Sequence, residues 1–235
     1  MEAFKVDLDS RENQSILKPS ARPFNHQTHQ VDEVAKKIYE LIKDAKHSND
    51  GIILNHDKIK EAFFSPFKPQ LKNAQVFLSH FHADKNKALE VKNYLESKTN
   101  HRVRVFIDSL FWDYKDDVLN KLAEYDDISG IEDAFTLILR ESLQDMIEKC
   151  PYFVFLQSNN SVSNQGLSRI TYSAWVYEEL KIANGLIADS ALQESRIKAM
   201  RVSHNITNLL RRFKSISLDG LCKKISFNFI TKDLE

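Results

Sequence analysis

The sequence predicts an α/β protein with a mostly parallel sheet flanked by helices. Three observations lead there. The runs Val76–Leu78, Val103–Ile107 and Tyr152–Leu156 are short, apolar and β-branched or aromatic, as strands buried on both faces should be. Stretches with helical spacing separate them, so strands alternate with helices, the pattern of right-handed parallel crossovers. Only five glycines occur in 235 residues, which argues against turn-rich all-β folds and glycine-rich phosphate loops.

Taken in order, residues 1–30 are polar and aperiodic, with Pro19 and Pro23, and read as mobile or draped over the surface. Val34, Ile38, Leu41 and Ile42 make Val31–Asp44 a helix. Asp57–Phe64 is a shorter helix, stopped by Ser65-Pro66. Residues 1–70 thus form an N-terminal extension with about two helices, and residues 71–235 form the α/β domain. Val76–Leu78 is its first strand. Asp84 then opens an amphipathic helix through Ala88, Val91 and Leu95, with its carboxylate at the helix start. The Val103–Ile107 strand ends at Asp108. An aromatic loop, Ser109–Lys115, holds Trp112 and leads to a short helix over Asp116–Glu124. Ile131–Cys150 is a long helix stopped by Pro151. Tyr152–Leu156 is the clearest strand. The Ser- and Asn-rich turn region after it, 157–168, precedes a helix through Val176, Leu180, Ala183 and Ile187. Beyond Ser190, Arg196–Val202 reads as a strand. Leu209–Phe213, Ile216–Leu218 and Ile225–Ile230 fit either type.

Composition narrows the function. Hydrophobic content of 42% supports a core, and 33 basic residues balance 33 acidic ones, so nothing marks a nucleic-acid or anionic-membrane partner. Two cysteines, Cys150 and Cys222, form no disulfide framework and read as small buried hydrophobes. No run reaches the roughly 20 apolar residues that span a bilayer, and the N-terminus has no apolar signal region. The expectation is a soluble cytoplasmic protein.

Candidate chemistry clusters at the carboxyl ends of strands, where open α/β sheets bind ligands. Ser79, His80, Phe81 and His82 follow the first strand there. Tyr172, Trp175 and Glu179 are three and four apart, so they share one stripe, expected to be turned away from Val176, Leu180 and Ala183. Glu179 is then either a surface carboxylate beside a rim aromatic or part of the crevice. Asp108 caps its loop, pairs with a lysine or meets a ligand. Trp112 either folds back on the core or stacks on a ligand or partner. His80-Phe81-His82-Ala83-Asp84 resembles the H-x-H-x-D segment of metallo-β-lactamase-fold hydrolases, but Lys85 stands where that family has its next histidine. The expectation is histidines lining a polar turn, with no metal.

Four segments resemble Toll/interleukin-1 receptor (TIR) domains. Val76-Phe77-Leu78-Ser79-His80 with Asp84 looks like the first signature, and Val105-Phe106-Ile107-Asp108 like the second strand. Tyr152-Phe153-Val154-Phe155-Leu156-Gln157-Ser158 looks like the fourth strand. Ser173-Ala174-Trp175-Val176-Tyr177-Glu178-Glu179-Leu180 is similar to the S-x-W-[CV]-x-x-E-L segment. The resemblance covers about residues 71–205. The loop after the second strand lacks the Arg…Pro-Gly motif of many members. Its Trp-bearing acidic form is similar to the divergent TIR proteins of prokaryotic antiphage defence (Thoeris-type).

The resemblance implies a flavodoxin-like TIR fold. It also implies an NADase or ADP-ribosyl cyclase that splits the nicotinamide–ribose bond of NAD, with NAD as substrate and no cofactor. The product would be ADP-ribose or a cyclic form. Glu179, four residues after Trp175, takes the catalytic place, and Ser79, His80, Phe81, Asp108, Trp112 and Trp175 are candidate substrate contacts. Immune-type signalling, TIR–TIR self-association and a sensor or effector partner are implied too. The alternative is a non-catalytic TIR interaction module. A nucleoside N-glycosidase of the deoxyribosyltransferase type and a zinc hydrolase are more distant readings.

Overall fold

The computed structural model describes residues 1–17, 28–46, 55–66, 73–107, 109–125, 132–165, 168–187 and 203–232. Five parallel strands form the main sheet: β1 (Glu2–Asp7), β2 (Val76–Ser79), β3 (Val105–Ile107), β4 (Tyr152–Gln157) and β8 (Lys214–Ser215), in the spatial order β3-β2-β4-β1-β8. Helices flank it, and the α/β expectation holds. A small antiparallel sheet joins β5 (Ser163–Gln165), β6 (Ser168–Thr171) and β7 (His204–Asn205). It starts inside the turn region expected after β4.

Counted from β2, the first three places follow the flavodoxin-like order 2-1-3-4-5: β3, β2, β4. The fourth place belongs to β1. The segment expected to be mobile is therefore an interior strand, paired with β4 over its full length and with β8 on its other side. Its apolar residues Ala3, Phe4 and Val6 are buried, as is Leu8 just beyond it. The charges of Glu2, Lys5 and Asp7 hide the strand from a pattern search. Asn13 in α1 (Arg11–Ile16) ties the end of β1 to the start of the C-terminal helix. Its Nδ2 donates to the Asp7 carbonyl at 2.7 Å, and its Oδ1 accepts from the Leu218 amide at 2.9 Å. β4, which the resemblance numbers as a fourth strand, occupies the third place, beside β2.

The remaining helices are α2 (Thr28–Lys46), α3 (His56–Phe64), α4 (Lys85–Lys98), α5 (Ser109–Ala123), α6 (Glu132–Lys149), α7 (Ala174–Leu186), α8 (Thr207–Arg211) and α9 (Leu218–Lys232). The aromatic stretch Ser109–Lys115 is thus the first half of α5, not a loop. Leu209–Phe213 is largely helical, Ile225–Ile230 lies within α9, and Arg196–Val202 lies outside the described residues. Among the described residues, no helix is long and apolar enough to cross a membrane.

The chain forms two compact units, and their boundary differs from the one expected near residue 70. One unit combines residues 1–21, 74–109 and 146–235 and holds the main sheet. The other combines residues 22–73 and 110–145. The second unit is helical, and its core is one aromatic cluster: the Phe63 ring lies 5.2 Å from Tyr114 and 5.8 Å from Phe135, edge to face. Val34, Ile38, Val118 and Leu122 are buried there as well. The two predicted N-terminal helices are consequently half of a bundle whose other half arrives some fifty residues later, not an extension standing by itself.

In the sheet unit, α4 secures the edge strand. Lys92 Nζ donates to the Val105 carbonyl at 2.6 Å, and Glu96 Oε1 accepts from the Val105 amide at 3.0 Å. An edge whose backbone groups are satisfied this way offers less to another strand.

Candidate functional site

In-register residues of parallel strands point to the same face. On one face they change from apolar to polar toward the carboxyl edge. The first row is Phe106, Phe77, Phe153 and Ala3, with Phe77 stacked on Phe153 at 5.6 Å. The next is Ser79, Phe155, Lys5 and Ser215, and the last is Gln157 and Asp7. Phe213, just past α8, closes edge-on over Phe153 at 5.6 Å.

From β2 the chain crosses outward to β3, and it returns past β2 to β4. The connections after β2 and β4 thus leave in opposite directions, which makes this pair the switch point where such sheets bind ligands. Ser79 ends β2 at that place. Its Oγ donates to Glu179 Oε2 at 2.5 Å. Glu179 reaches it from α7, whose start is fixed by Ser173: the Ser173 side chain accepts from the Val176 amide at 3.2 Å. The carboxylate and the end of the first predicted strand therefore meet, one hundred residues apart in sequence.

The manner of meeting differs from expectation. Val176, Glu179, Leu180 and Ala183 form a single buried stripe, and Glu179 is 0% exposed. Tyr172 precedes the helix and is 60% exposed, while Trp175 is half-buried. Glu179 does not sit on a solvent-facing stripe. Helical spacing ranks a glutamate as polar and turns it outward; the hydrogen bond from the Ser79 hydroxyl on the facing strand offsets part of the cost of the inward position.

The turn after β2 is tied to the loop after β4. Asp84 does not cap α4 with its side chain. Instead its Oδ2 accepts from Ser158 Oγ, and its Oδ1 accepts from Asn160 Nδ2 at 2.9 Å. The β1 end joins the same edge. Asp9 Oδ2 accepts from the Asn159 amide at 2.8 Å, and Asp9 Oδ1 accepts from Lys87 Nζ at 3.2 Å. Burial opposes ionisation of Asp9, but the Asn159 amide and Lys87 outweigh it and hold its pKa below the ordinary value. Neither tie can be read from residue spacing; the Ser and Asn residues after β4 were the available signal.

His80 is buried and Phe81 half-buried along the turn, while His82 is exposed. Among the described residues, no three His, Cys, Asp or Glu side chains come together as metal ligands. Asp108 lies outside the described residues. Trp112 falls in α5, in the helical unit, and its side chain is outside the described set. A cavity of about 710 Å³ between α1, α4 and α9 is lined by Ile16, Glu90, Tyr94, Lys98 and Asp219 among others, and contains none of the predicted site residues.

Fold and site together define a flavodoxin-like α/β protein with a buried carboxylate at its switch point. No family model, curated protein or solved structure matches the chain.

Proposed function

We propose that the chain is an N-glycosidase acting on NAD, with Glu179 as the carboxylate that faces the reacting ribose. The observation that carries this is the Ser79–Glu179 hydrogen bond at the switch point. The resemblance of residues 71–205 to NAD-cleaving TIR domains supplies the substrate. Nicotinamide leaves neutral from a cationic ring nitrogen, so no general acid is required. The remaining ribose resembles an oxocarbenium ion, as in glycoside hydrolysis, and a single carboxylate can stabilise it. The hydroxyl of Ser79 orients that carboxylate. Glu179 is fully covered, so on this reading substrate entry requires the Ser79–Asp84 turn to move. Water as acceptor gives ADP-ribose; an internal nucleophile of the substrate gives a cyclic product.

The test is incubation with NAD and chromatography of the products. Wild type should release nicotinamide, and Glu179→Gln should lower the rate by about 10²–10³, the usual effect of removing a preorganised stabilising group. NAD loss that survives the substitution sinks the assignment. Nicotinamide riboside and deoxynucleosides, offered in parallel, separate NAD cleavage from nucleoside chemistry.

The complete burial of Glu179 favours a second reading, in which the carboxylate is a strut inside a non-catalytic TIR interaction module. That reading expects a stable complex with another TIR protein, no turnover in the complex, and a lowered melting temperature for Glu179→Gln.

A further inference from the structure

Lys5 and Arg169 bring two positive charges to neighbouring rows of the face that carries Glu179, near enough for the Arg169 charge to act on Lys5. Lys5 sits in the same row as Ser79, one strand beyond Phe155. Two interstrand spacings put the two positions about 10 Å apart. Arg169, on β6, reaches the next row: its Nη1 donates to Gln157 Oε1 at 3.3 Å. Lys5 Nζ donates to the Leu210 carbonyl at 3.1 Å.

These bonds leave most of the donor capacity unspent. An ammonium has three donors and a guanidinium five, and among the described residues each side chain uses one of them. Among the described residues, no carboxylate lies within ion-pair distance of either group. Asp7, the acid at the end of the same strand face, spends Oδ1 on the Asp9 amide. Burial first, and then the Arg169 charge, lower the Lys5 pKa. Both residues are half-buried, so part of each remains exposed to solvent. Capping the last turn of α8 accounts for a cation at Lys5. It does not account for a second cation beside it, which is repulsive until an anion arrives.

We propose that Lys5 and Arg169 form a phosphoryl-binding subsite, which takes the pyrophosphate of a dinucleotide whose ribose lies at Glu179. The assignment to a dinucleotide rests on the N-glycosidase reading; the phosphoryl site does not. A planar guanidinium beside a point charge suits a pyrophosphate, which offers oxygens to a fork and to an ammonium at once.

The experiment is calorimetric titration of the full chain with inorganic pyrophosphate at low salt, where screening is weakest. Wild type should bind, and Arg169→Met and Lys5→Met should each bind about tenfold or more weakly, the loss of one charge-assisted contact. Arg169→Lys should recover part of the affinity. Glu179→Gln should bind like wild type. Wild type that takes up no pyrophosphate, or methionine variants that bind unchanged, overturns the site. Arg169 alone carries the test should Lys5→Met not fold. NAD turnover is read separately. Pyrophosphate binding without turnover supports the subsite and counts against the glycosidase. Turnover with an unchanged KM in Arg169→Met overturns the subsite and leaves the glycosidase standing.

Discussion

Asp84 has both carboxylate oxygens engaged, one by Ser158 and one by Asn160, and it is buried. Hydrogen bonds to a charged group are worth about 1.5–3 kcal/mol each, and a stranded partner costs about 1–3 kcal/mol. Asp84→Ala should therefore lower unfolding free energy by about 2–4 kcal/mol in urea titrations; a loss under about 0.5 kcal/mol, the ordinary range of a surface change, would show that the tie is not formed. Ser79→Ala removes the hydroxyl that meets Glu179 and should destabilise by about 1–3 kcal/mol, with a fall in any NAD cleavage. Asp9 adds a pH dependence. Its folded pKa is depressed below 3.8, so its contribution is present above that value and is lost as pH falls through the folded pKa. Melting temperature should drop on acidification below about pH 4, and more steeply in wild type than in Asp9→Asn.

Among the elements, β1 carries the sharpest expectation. It lies between β4 and β8, so its removal opens two strand edges and uncovers apolar residues that Phe4 and Val6 now cover. A chain lacking residues 1–8 should lose its cooperative thermal transition, measured by circular dichroism; a retained transition would mean the sheet closes without β1. At the centre of the aromatic row, Phe153 is buried against Phe77 and Phe213. Phe153→Ala should cost about 3–5 kcal/mol, the range for large core truncations. Helix and strand interiors were legible where local pattern and environment agree. β2, β3, β4, α2, α3, α4 and α6 all lie where spacing and apolar runs put them. β1 was not legible, because parallel pairing is made by backbone groups and needs only a short apolar stretch among charges. Nor was the start of α5, whose aromatic residues resemble a ligand loop in composition while their backbone is helical.

At the scale of the whole molecule, the chain passes repeatedly between two units, each built from separate stretches. Phe63 of α3 is buried against Tyr114 and Phe135 from the later stretch. A fragment of residues 22–73 should for that reason show little helix in solution, since isolated short helices are marginal without a packed face. A fully helical, cooperatively melting fragment would contradict the shared core. Under the TIR reading, NAD cleavage per mole should rise with protein concentration or crowding, because such sites assemble across protomers. Activity that is flat with concentration in verified monomers would remove assembly from the proposal.

The sequence by itself determined the class of fold, because strand burial and helix amphipathicity are written in nearest-neighbour spacing. It also singled out Ser79 and Glu179, which the fold brings to 2.5 Å. Only the tertiary structure decided that β1 is an interior strand, that Glu179 is covered rather than rimmed by solvent, and that Lys5 stands beside Arg169. Those facts depend on which distant residue lies across the sheet, and a one-dimensional pattern carries no information about a partner far along the chain.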